Sequence, residues 1–359
     1  MLVCCAALSL LLANSALSNG YTALWQTPIF HHPAIHWIND GLMAIFFLLI
    51  GLELEREVYS GQLSNLKAAS LPIVAAIGGM LVPAGVHLLF NWGTPTQAGA
   101  GIPMATDIAF ALGILSLLGK RVPFSLKVFL TALAVIDDLG AILTIAFFYS
   151  TGLSWMNLGI ALGIFGVLGV LNRLKVHNLI PYLIGGVAAW YFMLHSGVHA
   201  TIAGVLLAFV IPFAKGDDTS ISIRLQRALH VPVSFIILPI FALANTAIVL
   251  NSGMLGGLAD TNSLGIMLGL LLGKPVGILL ASFIAISTGL SAKPPGLRWR
   301  HILGLGLLGG IGFTMSIFVT LLAFDDAGVI DTSKIAIILA STVAALAGLA
   351  VLKATLGRE

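Results

Sequence analysis

Runs of about 20 predominantly apolar residues follow one another along almost the whole chain. That is the length an α-helix needs to cross a bilayer at ~1.5 Å per residue. Twelve such runs lie near residues 1–18, 38–57, 70–90, 101–118, 124–148, 153–172, 180–195, 197–213, 231–250, 264–287, 301–323 and 334–356. Hydrocarbon offers no partner to a backbone N–H or C=O, so runs of this kind fold as spanning helices. The composition agrees: 58% of residues are hydrophobic and 9% charged, against roughly 25% charged in a soluble domain. Residues 1–359 read as a single integral membrane domain of the all-α class. Cys4 and Cys5 are adjacent and form no disulfide framework. The sequence has no Walker loop, metal-ligand cluster or nucleic-acid motif, so neither a cofactor nor a nucleic-acid partner is expected. The first run lacks a basic n-region and reads as a spanning helix rather than a signal peptide.

The basic residues orient the spans. With both termini cytoplasmic, 15 of the 17 lysines and arginines fall on the inner side. Lys334 falls outside and Lys274 lies within a span. One-sidedness of this degree is the positive-inside pattern, and a wrong helix count would scramble it. Trp25, Trp37, Trp92 and Trp155 sit near span ends, as interfacial tryptophans do.

Most acids fall in loops or at span edges. Asp217, Asp218, Asp260, Asp325, Asp326 and Asp331 read as solvated, and Glu55 and Glu57 flank Arg56 at the inner end of the second span. Four charges remain deep: Asp107, Asp137, Asp138 and Lys274. Each costs about 2.5–3.5 kcal/mol at a helix centre, so four amount to roughly 10–14 kcal/mol if they face lipid. They must face a cavity or one another. Asp137 and Asp138 are the only charges between Val128 and Phe148. Neighbours on a helix point about 100° apart, so one acid can face a cavity while the other reaches a partner helix. Burial and a like charge disfavour ionised carboxylates and a nearby cation favours them, the balance a site needs to trade protons for a cation. Lys274, in "LLLGKPVGILL", needs an acid or carbonyl partner, and Asp137 is the candidate.

Two spans are expected to be interrupted. In "GIPMATDIAFALGIL" Pro103 removes a backbone donor and disfavours helix just before it, which breaks the fourth span near Pro103–Asp107 beside the Thr106 hydroxyl. In "LGLLGGIGFTMSIF" five glycines from Gly304 to Gly312 weaken the eleventh. Each interrupted span neighbours one with a deep charge. Spans three to five and ten to twelve, approximately 70–150 and 264–356, can therefore be inverted halves of one plan. Paired interruptions at corresponding places mark a midplane transport site, a rule drawn partly from the family named next.

"PMATDIAFALGIL", "ALAVIDDLGAIL", "SGVHATIAGVLLAF", "LPIFALAN", "GKPVGI" and "GGIGFTMSIF" together resemble the bacterial NhaA sodium/proton antiporters, from about Trp37 onward. The resemblance implies a multi-pass protein of the bacterial inner membrane, with about twelve helices, two of them discontinuous, and an inverted-topology repeat. It implies electrogenic, pH-regulated export of Na+ or Li+ in exchange for H+, by alternating access, from a homodimer in the lipid bilayer. On matching positions Asp138 is the principal cation ligand and Asp137 its neighbour, which alternates in an ion pair with Lys274. Thr106 and Asp107 lie on the broken helix beside the site. His199 matches a residue tied to pH response, and Glu53 and Glu57 match acids of the cytoplasmic funnel. Read from the residues alone, His199 is equally a structural helix-end histidine. The chain begins almost at its first helix, without the family's polar lead, and Gln226 and Arg227 stand where relatives carry titratable groups.

Other readings fit less well. A Na+-coupled symporter of an organic anion needs anion donors, and no deep arginine is present. An intramembrane aspartyl protease leaves Lys274 without a role, and a passive channel has no need of paired broken helices.

Overall fold

The computed structural model describes residues 1–150, 152–213, 220–294 and 296–357. Lys215, Asp217, Asp218 and Arg358, read above as inner-side or solvated charges, lie outside the described residues.

In chain order the helices are α1 (Leu2–Ala13), α2 (Ser18–Gln26), α3 (Ala34–Tyr59), α4 (Leu66–Asn91), α5 (Ile108–Ser116), α6 (Phe124–Phe148), α7 (Trp155–Arg173), α8 (Leu179–Leu194), α9 (Ile202–Val210), α10 (Ile221–Asn245), α11 (Ser252–Gly257), α12 (Thr261–Ser287), α13 (Trp299–Gly309), α14 (Phe313–Ala323) and α15 (Ala327–Thr355). A 3-10 helix, Gln97–Met104, leads into α5, and a two-residue hairpin pairs Pro28–Ile29 with His32–Pro33. Among the described residues eight helical segments are long and apolar enough to cross a membrane, or ten if the bent pairs α1–α2 and α13–α14 each count once. The pairs bend by 115° and 47°. α8, at 16 residues, and α9, at 9, are apolar but shorter.

Two expectations are corrected. The first run does not stay helical to residue 18: α1 stops at Ala13, where the Asn14 amide caps the carbonyls of Leu10 and Ile248. The ninth span begins at Ile221 rather than near 231. Its first turns are amphipathic and bury Ser222 and Gln226, so hydropathy alone underestimates the helix. Beyond the four deep charges, Glu55 (4% exposed), Glu57 and Lys334 are also buried within the protein. Glu55 accepts a hydrogen bond from Ser222 Oγ at 2.8 Å, and Lys334 pairs with Asp331 one turn earlier at 3.8 Å.

The chain divides into two compact units, Met1–Gly61 with Ile142–Val249, and Gln62–Ala141 with Leu250–Glu359. The core of the first is built from α3, α7, α8 and α9, where Leu48, Leu52, Phe165, Tyr182, Met193 and Leu207 pack together. In the second, α4 and α12 cross at Gly78 and Gly277. A Cβ on Gly277 would fall on the Gly78 carbonyl oxygen, so only glycine permits this approach. The crossing lies one helical turn beyond Lys274 and fixes where that side chain enters the unit.

Candidate functional site

Five of the residues singled out from sequence lie together in the second unit. Asp137 and Asp138 sit inside α6, fully buried at 0% and 2% exposure. Lys274, also 0% exposed, sits where a π-helical turn, Gly269–Gly273, hands over to regular helix ahead of Pro275. The extra residue of a π turn re-aims the side chains that follow it. The lysine stem runs past Gly79 and Gly309, where an added Cβ would lie 3.7 Å from its Cε and Cγ respectively. Its Nζ reaches Asp137 Oδ2 at 2.7 Å and also donates to the Met104 carbonyl.

The segment before α5 supplies the other side. Residues 105–107 leave the helical path between the Gln97–Met104 turn and α5. The Thr106 hydroxyl lies 2.8 Å from both Asp137 Oδ2 and the Gly309 carbonyl oxygen. A hydroxyl carries one proton and can donate to only one of these acceptors at a time. A protonated Asp137 could instead donate to Thr106, leaving the hydroxyl proton for Gly309. The remaining oxygen of Asp137, Oδ1, is buried with no hydrogen-bond partner among the described residues.

Asp107 ties two helix starts together. Its Oδ1 caps α5 by accepting from the Phe110 N–H at 2.9 Å. Its Oδ2 accepts from the Thr314 hydroxyl at 2.5 Å and the Thr314 N–H at 3.2 Å, in the first turn of α14. Its own N–H donates to the Ile311 carbonyl at 2.7 Å, in the gap between α13 and α14. A carboxylate suits this place because the N-terminus of a helix carries partial positive charge and unpaired N–H groups. Lys274 adds positive charge to the same unit, and Asp137 and Asp138 supply two carboxylates. The set can hold a cation, hold protons, or exchange one for the other. Among the described residues no three His, Cys, Asp or Glu side chains converge as a resident metal site.

The other three candidates belong to the first unit. Glu53 is half-buried and faces Arg56, His230 and Gln226. Glu57 pairs with Arg56 at 3.5 Å, and the arginine is 43% exposed. His199 is half-buried, with Nε2 3.0 Å from the Tyr149 carbonyl and Asp40 nearby. Asp40 itself pairs with His36 at 3.1 Å.

Sequence reasoning missed Thr314, Glu55 and Asp40. A threonine in an apolar run carries no signal by itself. Glu55 reads from sequence as a span-end acid flanking Arg56, whereas in the fold it accepts from Ser222 Oγ. Asp40 was readable, four residues after His36 in a helix-compatible segment.

The family model "Na+/H+ antiporter 1" matches residues 1–352. The chain belongs to the Na+/H+ antiporter 1 family. It is 64% identical over 346 residues to "Na(+)/H(+) antiporter NhaA 1" of Flavobacterium johnsoniae, covering 96% of this chain and 91% of that protein. It is 63% identical over 356 residues to "Na(+)/H(+) antiporter NhaA" of Cytophaga hutchinsonii, covering 99% and 92%. A protein of the same name from Dechloromonas aromatica is 60% identical over 348 residues, covering 96% and 90%. As a Na+/H+ antiporter 1 family member with many apolar helices, the chain is a multi-pass membrane protein, and its family is one of transporters rather than enzymes.

Proposed function

We propose that this chain is an electrogenic, pH-regulated antiporter that exports Na+ or Li+ in exchange for H+ across a bacterial inner membrane. The observation that carries the proposal is the fully buried pair of Lys274 Nζ and Asp137 Oδ2, 2.7 Å apart, with Asp138 next in sequence. Asp138 is the principal cation ligand and Asp137 assists it, with Thr106 and Asp107 at the edge of the site. Sodium and protons compete for the same carboxylates. When cytoplasmic pH rises the acids lose protons, Na+ binds, and Asp137 leaves Lys274. The loaded site opens outward, external protons displace Na+, and the protonated site returns. Two carboxylates and a lysine offer three titratable positions against one monovalent cation, so more protons than sodium ions can move per cycle.

The supporting architecture is twelve spans with both termini cytoplasmic. The breaks at 105–107 and 310–312 make two discontinuous helices, and residues of about 70–150 and 264–356 form inverted halves. Substrate sites in such transporters lie at discontinuous helices near the midplane, the family of this chain being among the founding examples. Glu53, Glu57 and His199 set the pH response, and the working form is a homodimer.

The test uses everted vesicles from antiporter-deficient bacteria expressing the chain. They are energised, the pH gradient is followed by a dye, and Na+, Li+ or K+ is added between pH 6.5 and 8.5. Na+ and Li+ collapse the gradient, more strongly at alkaline pH, and K+ does not. Asp137→Asn and Asp138→Asn each abolish the collapse. Normal exchange in either variant overturns the assignment of the site.

A further inference from the structure

Away from the buried acids, the second unit holds a cavity of about 310 Å³ lined by Arg121, Pro123, Gly296, Arg298, His301 and Thr355, among others. The lining contains no acid among the described residues. Arg121 and Arg298 come from different segments, the turn Gly119–Arg121 and the approach to α13; both are exposed, and among the described residues neither is in an ion pair with an acid. Arg298 is moreover the N-cap of α13, whose first turn has no acid. Positive side chains at the positive end of a helix are unfavourable, and an anion relieves them.

The wall of the cavity is built rather than incidental. His301 is 5% exposed and uses both ring nitrogens on backbone. Nδ1 accepts from the Arg298 N–H at 3.2 Å, and Nε2 faces the Thr355 carbonyl at 3.4 Å. The imidazole thus ties the start of α13 to the end of α15 and holds Arg298 in place.

The depth of the cavity names the anion's source. Pro123 immediately precedes α6, Arg298 immediately precedes α13, and Thr355 ends α15. Three apolar helices therefore begin or end at the cavity, which is the level of the membrane–water interface. Beside it the apolar side chains are bare: Phe124 is 80% exposed and Trp299 36%. Exposed aromatics at span ends are anchors for the headgroup region. Basic pockets between helices on the cytoplasmic side bind phosphate headgroups.

We infer that this cavity binds the phosphodiester headgroup of an anionic phospholipid, with Arg121 and Arg298 on the phosphate and acyl chains against Phe124 and Trp299. Its place in the inner leaflet rests on the orientation proposed above. The binding itself does not need transport, so its test is independent of the antiport assay.

The full chain is purified, delipidated and titrated in nonionic detergent with phosphatidylglycerol or phosphatidylcholine, and bound lipid is read by native mass spectrometry. Phosphatidylglycerol is retained in preference to phosphatidylcholine. Arg121→Gln and Arg298→Gln each weaken retention roughly fivefold, and together roughly 25-fold, from the contribution of one basic residue near an anionic surface. Arg173→Gln with Lys175→Gln removes the same charge from residues that do not line the cavity and leaves retention unchanged. Equal retention in the cavity variants, equal loss in the control pair, or full competition by inorganic phosphate overturns the inference. Each single arginine variant is sufficient if the double variant does not fold.

Discussion

Lys274 and Asp137 make the fold depend on a charge pair that neither partner can leave cheaply. Both are fully buried, and removing one partner of a buried pair costs about 3–5 kcal/mol because the other charge is left uncompensated. Lys274→Ala is therefore expected to lower the thermal unfolding midpoint in detergent, and the loss grows as pH rises and an unpaired Asp137 is driven to ionise. Adding Asp137→Asn removes the orphaned charge and recovers most of the loss. A double variant no more stable than Lys274→Ala would refute the pairing as the source of the effect. The four deep charges at 107, 137, 138 and 274 were legible in the sequence because an ionisable residue inside an apolar run is expensive wherever it points. Their hydrogen-bond partners were not legible. Thr106 was singled out through its neighbour Asp107, whereas Thr314 is polar in a run where polarity is cheap, and only the fold brings it to Asp107.

Two contacts between helices position these residues, and each makes a separate prediction. The crossing of α4 and α12 leaves no room for a side chain at Gly277. Gly277→Ala forces the helices apart and is expected to destabilise by about 1–3 kcal/mol, the usual cost of overpacking. The same change moves Lys274, one turn away, so the apparent affinity for Na+ falls along with the unfolding midpoint. Asp107 joins the starts of α5 and α14 through Phe110 and Thr314. Thr314→Val deletes the hydroxyl donor and strands a buried carboxylate oxygen with only the backbone N–H. That costs about 1–3 kcal/mol, and Thr314→Ser restores it; thermal unfolding of both variants checks the point. The break before α5 could be read from Pro103 and the polar pair after it. The π turn ahead of Lys274 could not, because "GLLLG" reads equally well as regular helix; in the fold Gly273 lies against Pro83, where a side chain would not fit.

At the scale of the whole molecule, topology turns on α8 and α9. α8 has 16 residues, about 24 Å of helix, and α9 has 9, about 14 Å, against a hydrocarbon core of about 30 Å. Length alone leaves both short of spanning, and short spans are accommodated by local thinning of the bilayer. Charge argues that they cross together or not at all. Arg173 and Lys175 precede α8, and Lys215 follows α9 in sequence, while the turn between the two helices carries no lysine or arginine. If only one of them crossed, every basic loop after residue 210 would change sides and the positive-inside pattern would be lost. His195 lies exposed in that turn and Leu174 is exposed at the far end of the connection. In a chain with Cys4 and Cys5 replaced by serine, His195→Cys is expected to react with a membrane-impermeant maleimide added outside intact spheroplasts. Leu174→Cys should react only after the membrane is opened. Labelling of both from the same side would mean that α8 does not cross. The proposed twelve spans would then become ten if α9 also stays on that side, which leaves both termini together, or eleven if α9 alone crosses, which separates them.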